Sequence, residues 1–237
     1  MRKYFFFCAF LFPWLCCLSQ QPKPVVLISG KVLNDRTMQP VEVDVRVVYE
    51  ILPDGEEAGI ARTNPLTGEY KIILPYGKNY GYLALAEGYY SVTKSLDVTN
   101  LTEYTEIDEQ NLFLAPLKKD QVVILNNVFF KKRTTELMAE SNPELNRFAE
   151  FLKTNKKIFI EISAHTDNKG EPEKDIELTQ QRAQAIADYV IGRGVKADRI
   201  TIKGYGQKYP IAFNTDKEER QRNNRVEFKI ISLEKPK

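Results

Sequence analysis

The hydrophobic period of this chain changes near residue 120. Before that point, apolar residues recur at every second position in short runs broken by turns. Beyond it, two stretches repeat at helical spacing between strand-like runs. A strand half-buried in a sheet repeats every two residues and an amphipathic helix every 3.6, so the switch predicts two differently built regions.

In the first region, residues 22–117, Val41, Val43, Val45 and Val47 alternate with Glu42, Asp44 and Arg46, which predicts a strand. Pro53-Asp54-Gly55, Asn64 to Gly68 and Pro75 to Asn79 are turn signals. Between and after them, Tyr70 to Leu74 and Tyr80 to Ala86 favour strands. About seven short strands at such spacing predict a β-sandwich. The runs GKVLND (30–35), PVEVDV (40–45), GEYKIILP (68–75) and ALAEGYYS (84–91) resemble the small carboxypeptidase-regulatory or transthyretin-like sandwiches. That resemblance implies a module that positions a neighbour and carries no catalytic group. Tyr76, Tyr80, Tyr82, Tyr89 and Tyr90 either fill its core and rim or stack on a partner; aromatic side chains mostly pack.

Pro116 to Asp120 reads as a short polar joint, and residues 118–232 form the second region, with a polar tail at 233–237. Val122 to Leu125 starts extended. Asn142-Pro143-Glu144 is a helix entry, with Asn able to cap and Pro suited to the first turn. Leu145, Phe148, Ala149 and Leu152 then form one apolar stripe, as do Ala183, Ile186, Ala187, Val190 and Ile191 in a second helix. Gly192 and Gly194 end that helix. Ile158, Ile160, Ile162 and Ala164 share one face of a strand, opposite Phe159, Glu161, Ser163 and His165. Ile200 and Ile202, then Val226, Phe228 and Ile230, mark two more strands. The expected fold class is α+β overall: an all-β sandwich followed by a βαβαβ-type two-layer α/β sandwich, with both helices on one sheet face and water on the other.

The first nineteen residues read as an export signal. Met1-Arg2-Lys3 is positive, Tyr4 to Leu18 is apolar, and a polar segment follows, with cleavage expected after Ser19. Fifteen apolar residues interrupted by Pro13 are too few to span a bilayer comfortably. All three cysteines, Cys8, Cys16 and Cys17, fall in this segment, which leaves no thiol for the exported chain. Lipidation at Cys17 is the alternative, although Trp14 stands where a lipoprotein signal has Leu. The chain has 34 Lys and Arg against 32 Asp and Glu, and Arg2 and Lys3 account for the difference. A neutral exported chain argues against nucleic-acid binding, which needs a basic face.

The chemistry concentrates in AHTDNKG (164–170) and LTQQRAQAIADYV (178–190). Asp167 ends the apolar strand, and Arg182 follows fifteen residues later at the expected head of the second helix. Ser163, His165 and Asp167 invite a triad, but alternate strand residues stand roughly 6.5–7 Å apart, too far for a relay. His165 is expected to be structural. One His without Cys cannot furnish a zinc set, and Glu171, Glu173, Asp175 and Glu177 do not follow a calcium-loop spacing. No cofactor is expected.

AHTDNKG, DIELTQQRAQAIADYV (175–190), GVKADRITIKGYGQKYPIAFN (194–214) and ERQRNNRVEF (219–228), preceded by NNVFF (126–130) and NPELNRFAEFL (142–152), resemble the OmpA-like peptidoglycan-binding domain. The resemblance implies a non-catalytic periplasmic domain that holds the diaminopimelate of the cell-wall peptide stem. By motif position, Asp167 takes the ammonium and Arg182 the carboxylate. An acceptor and a planar donor fork read a zwitterion in one sense, and a helix N-terminus near Thr179 is expected to help. Thr166, Asp175, Leu178 and Arg225 are further candidate contacts. Asp175 stands where the family usually has Asn, and Asn224 where it often has a second Arg. The implied partners are peptidoglycan and, through the sandwich, outer-membrane or envelope proteins, and the implied location is the periplasm, at the wall or outer membrane. The alternative is an envelope scaffold whose OmpA-like domain has lost its ligand.

Overall fold

The computed structural model describes residues 25–234, so the expected export signal, the cysteines and the end of the tail lie outside the described residues. Nine strands come first: β1 (Val25–Asn34), β2 (Arg46–Leu52), β3 (Glu56–Arg62), β4 (Glu69–Pro75), β5 (Asn79–Leu85), β6 (Tyr89–Ser91), β7 (Lys94–Asp97), β8 (Thr105–Ile107) and β9 (Leu112–Pro116). They form two sheets, β4-β1-β9-β6 with β8 also on β1, and β3-β2-β5-β7. Val26, Ile28, Ile72, Leu74, Tyr80, Tyr82 and Leu114 close the core between them.

The turns fall where expected, with Gly55 at φ 70° and Gly68 at φ 71°. The alternation at 41–47 did not yield the predicted strand, because β2 begins only at Arg46. Val41 and Val45 are buried but Val43 between them is exposed, so burial does not follow the period of two, and the segment lacks a ladder partner. Of the tyrosines, Tyr80 and Tyr82 are core residues. Tyr80 donates to the Pro75 carbonyl at 2.9 Å and Tyr82 to Gln110 at 2.9 Å. Tyr76, Tyr89 and Tyr90 are half-buried.

The C-terminal layer runs β10 (Val122–Leu125), α1 (Asn142–Thr154), β11 (Phe159–His165), α2 (Pro172–Ile191), β12 (Ile200–Gly206), α3 (Lys217–Asn223) and β13 (Val226–Ser232). Its sheet order is β10-β13-β11-β12, with β11 and β12 parallel and the other pairs antiparallel. Both predicted stripes are buried. Leu145, Phe148, Ala149 and Leu152 of α1 and Ala183, Ile186, Ala187 and Val190 of α2 pack with Ile160, Ile162, Phe228 and Ile230 of the sheet. The other face carries Glu161, Tyr205, Glu227 and Lys229. Glu161 accepts from the Tyr205 hydroxyl at 2.9 Å, and burial together with that carboxylate pushes the phenol up to about 12.

Three boundaries differ from expectation. Asn142 does not cap α1: Ser141 occupies the cap, and its hydroxyl instead bonds Phe129 across the chain, accepting at 2.8 Å and donating at 3.0 Å. α2 starts at Pro172, so Arg182 sits mid-helix and Thr179 is not near an N-terminus. Gly194 at φ 92° makes the left-handed turn after α2, whereas Gly192 is right-handed. Close packing of α2 on the sheet requires Gly204, where a Cβ would lie 2.3 Å from the Gln180 backbone nitrogen.

The two layers are docked to one another. Alternate residues of β5 face opposite ways, so Tyr82 and Ala84 enter the sandwich core while Leu83 and Leu85 join the core beneath α1. Tyr90 meets Phe151 edge-on with ring centroids 5.7 Å apart. Glu50 on β2 pairs with Arg147 on α1, which also holds Glu144 at 2.7 Å. The Asn155 side chain accepts from Gly88 N at 2.7 Å. The joint is pinned as well: Leu117 N donates to Gly88 at 2.9 Å, and Asp120 pairs with Lys229 at 2.8 Å.

Candidate functional site

A cleft of about 940 Å³ opens where β11 ends. Thr166 to Gly170 leave the strand and form one wall. Asp175, Leu178 and Arg182 line another, since spacings of three and four residues put them on one face of α2. A hairpin formed by residues 126–138, closed by a Phe130–Leu137 bridge, gives the roof, and Ile211, Asn224 and Arg225 give the far side. All six residues expected at the site therefore line one space.

Arg182 is held by its inner end. Its Nε donates to the Thr134 carbonyl at 2.9 Å, and its guanidinium lies over the Phe130 ring at 4.8 Å. Among the described residues its terminal nitrogens have no hydrogen-bond partner, so the fork faces the cleft. Burial lowers its pKa from the ordinary value, opposed by the charge of Asp175; an arginine stays charged through such a shift. Asp167 is fixed from both sides. One carboxylate oxygen accepts from Lys169 N at 2.9 Å, and the other accepts from Asn224 Nδ2 at 2.9 Å. The Asn224 carbonyl oxygen accepts in turn from Asp167 N at 3.2 Å.

Asp175 is not an open charge. It is buried, and its carboxylate accepts from Gln207 Nε2 at 2.8 Å while the same amide donates to Gly170 O at 2.9 Å. Gln207 thereby ties the loop after Asp167 to α2. Thr179, expected to lie near a helix start, is fully buried; its hydroxyl donates to Asp175 O at 2.8 Å and accepts from Gly206 N at 3.0 Å. Six basic residues line the cleft (Lys132, Arg133, Lys169, Arg182, Arg222 and Arg225) against two acidic ones, Asp167 and Asp175, which favours an anionic ligand.

His165 is held away from both Ser163 and Asp167. Its Nε2 bonds Glu227 at 3.1 Å, and its ring stacks on Tyr205 at 5.2 Å. Arg225 Nε donates to the other Glu227 oxygen at 2.9 Å. Burial works to raise the Glu227 carboxyl, but the bonds and charges of His165 and Arg225 outweigh it and hold the group below its ordinary range. Thr166 Oγ1, Arg225 Nη1 and His165 Nδ1 are buried without a protein partner. Among the described residues, no three His, Cys, Asp or Glu side chains are grouped to hold a metal.

Sequence reasoning missed the Thr134 and Phe130 seat of Arg182, the Gln207 tie and the tether from Asn224. Only the position of Asn224 beside Arg225 carries a signal, and from sequence it reads as a missing charge.

Residues 129–225 match the OmpA family. They form an OmpA family domain. In Mycobacterium tuberculosis, "Peptidoglycan-binding protein ArfA" is 42% identical over 86 residues, 36% of this chain and 26% of that protein. In Legionella pneumophila, "Peptidoglycan-associated lipoprotein" is 34% identical over 86 residues, 36% of this chain and 49% of that protein. This chain thus spans between a quarter and a half of the length of these relatives. Among solved structures, the peptidoglycan-associated lipoprotein from Burkholderia pseudomallei aligns with a TM-score of 0.41 at 24% identity, over 44% of this chain and 87% of that one. Most of the residues lining the cleft fall within the OmpA family domain, and the docked sandwich precedes it.

Proposed function

We propose that this chain is a non-catalytic, exported envelope protein that binds peptidoglycan through the diaminopimelate of the peptide stem. Residues 22–117 would then connect the wall to an outer-membrane or envelope partner, and 118–232 would hold the wall. Asp167 accepts from the ligand ammonium, and Arg182 donates to its carboxylate by two parallel bonds. The observation that carries this reading is the seating of Arg182. Nε, which a fork-on contact does not need, is spent on Thr134, and the outer nitrogens are left to the cleft that also holds Asp167. Leu178 supplies apolar cover. Thr166 and Arg225 keep buried donors that a ligand oxygen suits. The names of the relatives agree with a wall ligand.

The scaffold alternative rested on Asp175 and Asn224. Asp175 has a structural role, bonded to Gln207 and supporting the charge of Arg182, and Asn224 holds Asp167 in place. Both support retained binding. The test is co-sedimentation of the purified exported chain with insoluble peptidoglycan. Asp167→Ala and Arg182→Ala are each expected to stay in the supernatant, since losing one partner of a desolvated charge pair costs roughly 2–5 kcal/mol. Pelleting of both variants like the wild type would overturn the assignment.

A further inference from the structure

The loop joining β12 to α3 carries three large apolar residues at alternate positions, all exposed: Tyr209 at 59%, Ile211 at 44% and Phe213 at 88%. Phe213 is the most exposed large apolar residue among those described. Isolated exposed apolar residues are common and need no explanation, but three within five residues of one loop bordering a cleft mark a contact surface.

The backbone under Phe213 is fixed on both sides. Asn223 is fully buried, and its Oδ1 accepts from Ile211 N at 2.7 Å and Ala212 N at 3.0 Å. Its Nδ2 donates to Ala212 O at 3.0 Å and to Asn214 Oδ1 at 2.8 Å. Arg220 Nη1 reaches the carbonyls of Asn214 and Thr215, each at 3.2 Å. Asn214 itself sits at φ 61°, the left-handed conformation that asparagine tolerates. Tyr209 is braced edge-on against Tyr205 at 5.0 Å. A frayed loop would expose an aromatic ring by accident; here a fully satisfied buried amide holds the residues flanking the ring.

The loop is continuous with the ligand cleft. Ile211 lines the cleft, as do Gln221, Arg222 and Asn224 from the end of α3 onward. A stem peptide seated at Asp167 and Arg182 is joined to an amino-sugar strand, which must leave the cleft over one of its rims.

We propose that Phe213, with Tyr209 and Ile211 beside it, is a stacking platform for a sugar ring of the glycan strand. The inference rests on the peptidoglycan reading of the cleft and adds a saccharide subsite to it. The apolar C–H face of a pyranose lies flat on an aromatic ring and keeps its hydroxyls in water, which suits an exposed ring at a wet rim. The platform needs no charge, so it distinguishes sugar-bearing from sugar-free ligands without altering the grip on the zwitterion.

The test titrates the full exported chain with two soluble ligands, a stem peptide containing diaminopimelate and the same peptide carrying its disaccharide. The wild type is expected to bind the disaccharide form about tenfold more tightly. Phe213→Ala is expected to lose that gain and to keep the affinity for the bare peptide. Phe213→Trp is expected to retain the gain, and its emission should shift to the blue with the disaccharide form alone. Trp14, the one native tryptophan, lies in the export signal and does not interfere. Equal affinity of the wild type for both ligands, or equal effects of Phe213→Ala on both, overturns the platform and leaves the clamp standing. Failure of the wild type to bind either ligand overturns the peptidoglycan reading and the platform with it.

Discussion

Asn224 holds Asp167 by two opposed hydrogen bonds, donating to its carboxylate at 2.9 Å and accepting from its backbone nitrogen at 3.2 Å. The residue that looked like a lost positive charge is therefore a bracket for the acid. Replacing it with Ala should cost about 1.5–3 kcal/mol in ligand affinity, the range for a bond to a charged group. Asn224→Asp should be worse, because it sets a second carboxylate against the first. Calorimetric titration with a stem peptide checks both; unchanged affinity in Asn224→Asp would mean that Asp167 does not face the ligand.

Gly170 is constrained by Asp175. A Cβ there would lie 2.3 Å from both carboxylate oxygens, and the carboxylate is held by Gln207. Gly170→Ala should destabilise the protein by about 1–3 kcal/mol through overpacking. In an Asp175→Ala background the same change should cost much less, which a double-mutant cycle in urea would measure.

Glu227 makes stability acid-sensitive. Its carboxyl is held below its ordinary value in the folded chain, so its contribution is present above that ordinary value and is lost as pH falls through the lower folded value. Protonation would release His165 and Arg225 together. Thermal melts taken from about pH 5 to pH 3 should fall steeply for the wild type and less steeply for Glu227→Gln, which starts lower. Parallel curves would remove Glu227 as the cause.

Glu50 and Arg147 form a buried pair between the sandwich and α1, with side chains 7% and 11% exposed. Burial raises the Glu50 carboxyl, and Arg147 pulls it back. Glu50→Ala would strand Arg147 with only Glu144 and should cost about 3–5 kcal/mol. Glu50→Met with Arg147→Leu should recover most of that loss. Denaturant melts compare the two, and a Glu50→Ala variant as stable as the wild type would show that the pair contributes nothing.

Much of this was legible where local pattern and tertiary role coincide. The α1 and α2 stripes, the strand that leads to Asp167, and the turns at Gly55 and Gly68 each follow from spacing or from a backbone demand. The segment 41–45 departs from its apolar pattern because Val43 is left exposed between buried Val41 and Val45, and no neighbouring strand pairs with it. The start of α2 was missed because the charged residues Glu171 to Glu177 hide the apolar period, although Pro172 at the first turn was an available signal. Docking of the layers was not legible. The run Tyr80 to Leu85 is apolar on both faces, as a doubly covered strand is, but nothing local says what covers the second face. Arg182's seat on Thr134 joins residues 48 positions apart, and a polar hairpin gives no periodic trace.

The docking of β5 and β2 on α1 also determines how load travels. A pull on the sandwich reaches the OmpA family domain through Leu83, Leu85, Glu50 and the Asn155 amide as well as through the chain at Leu117. These contacts act in parallel, so tension is shared across a broad seat. The polypeptide between the layers then serves as a seam rather than a swivel, and any partner held by the sandwich inherits a fixed bearing relative to the cleft.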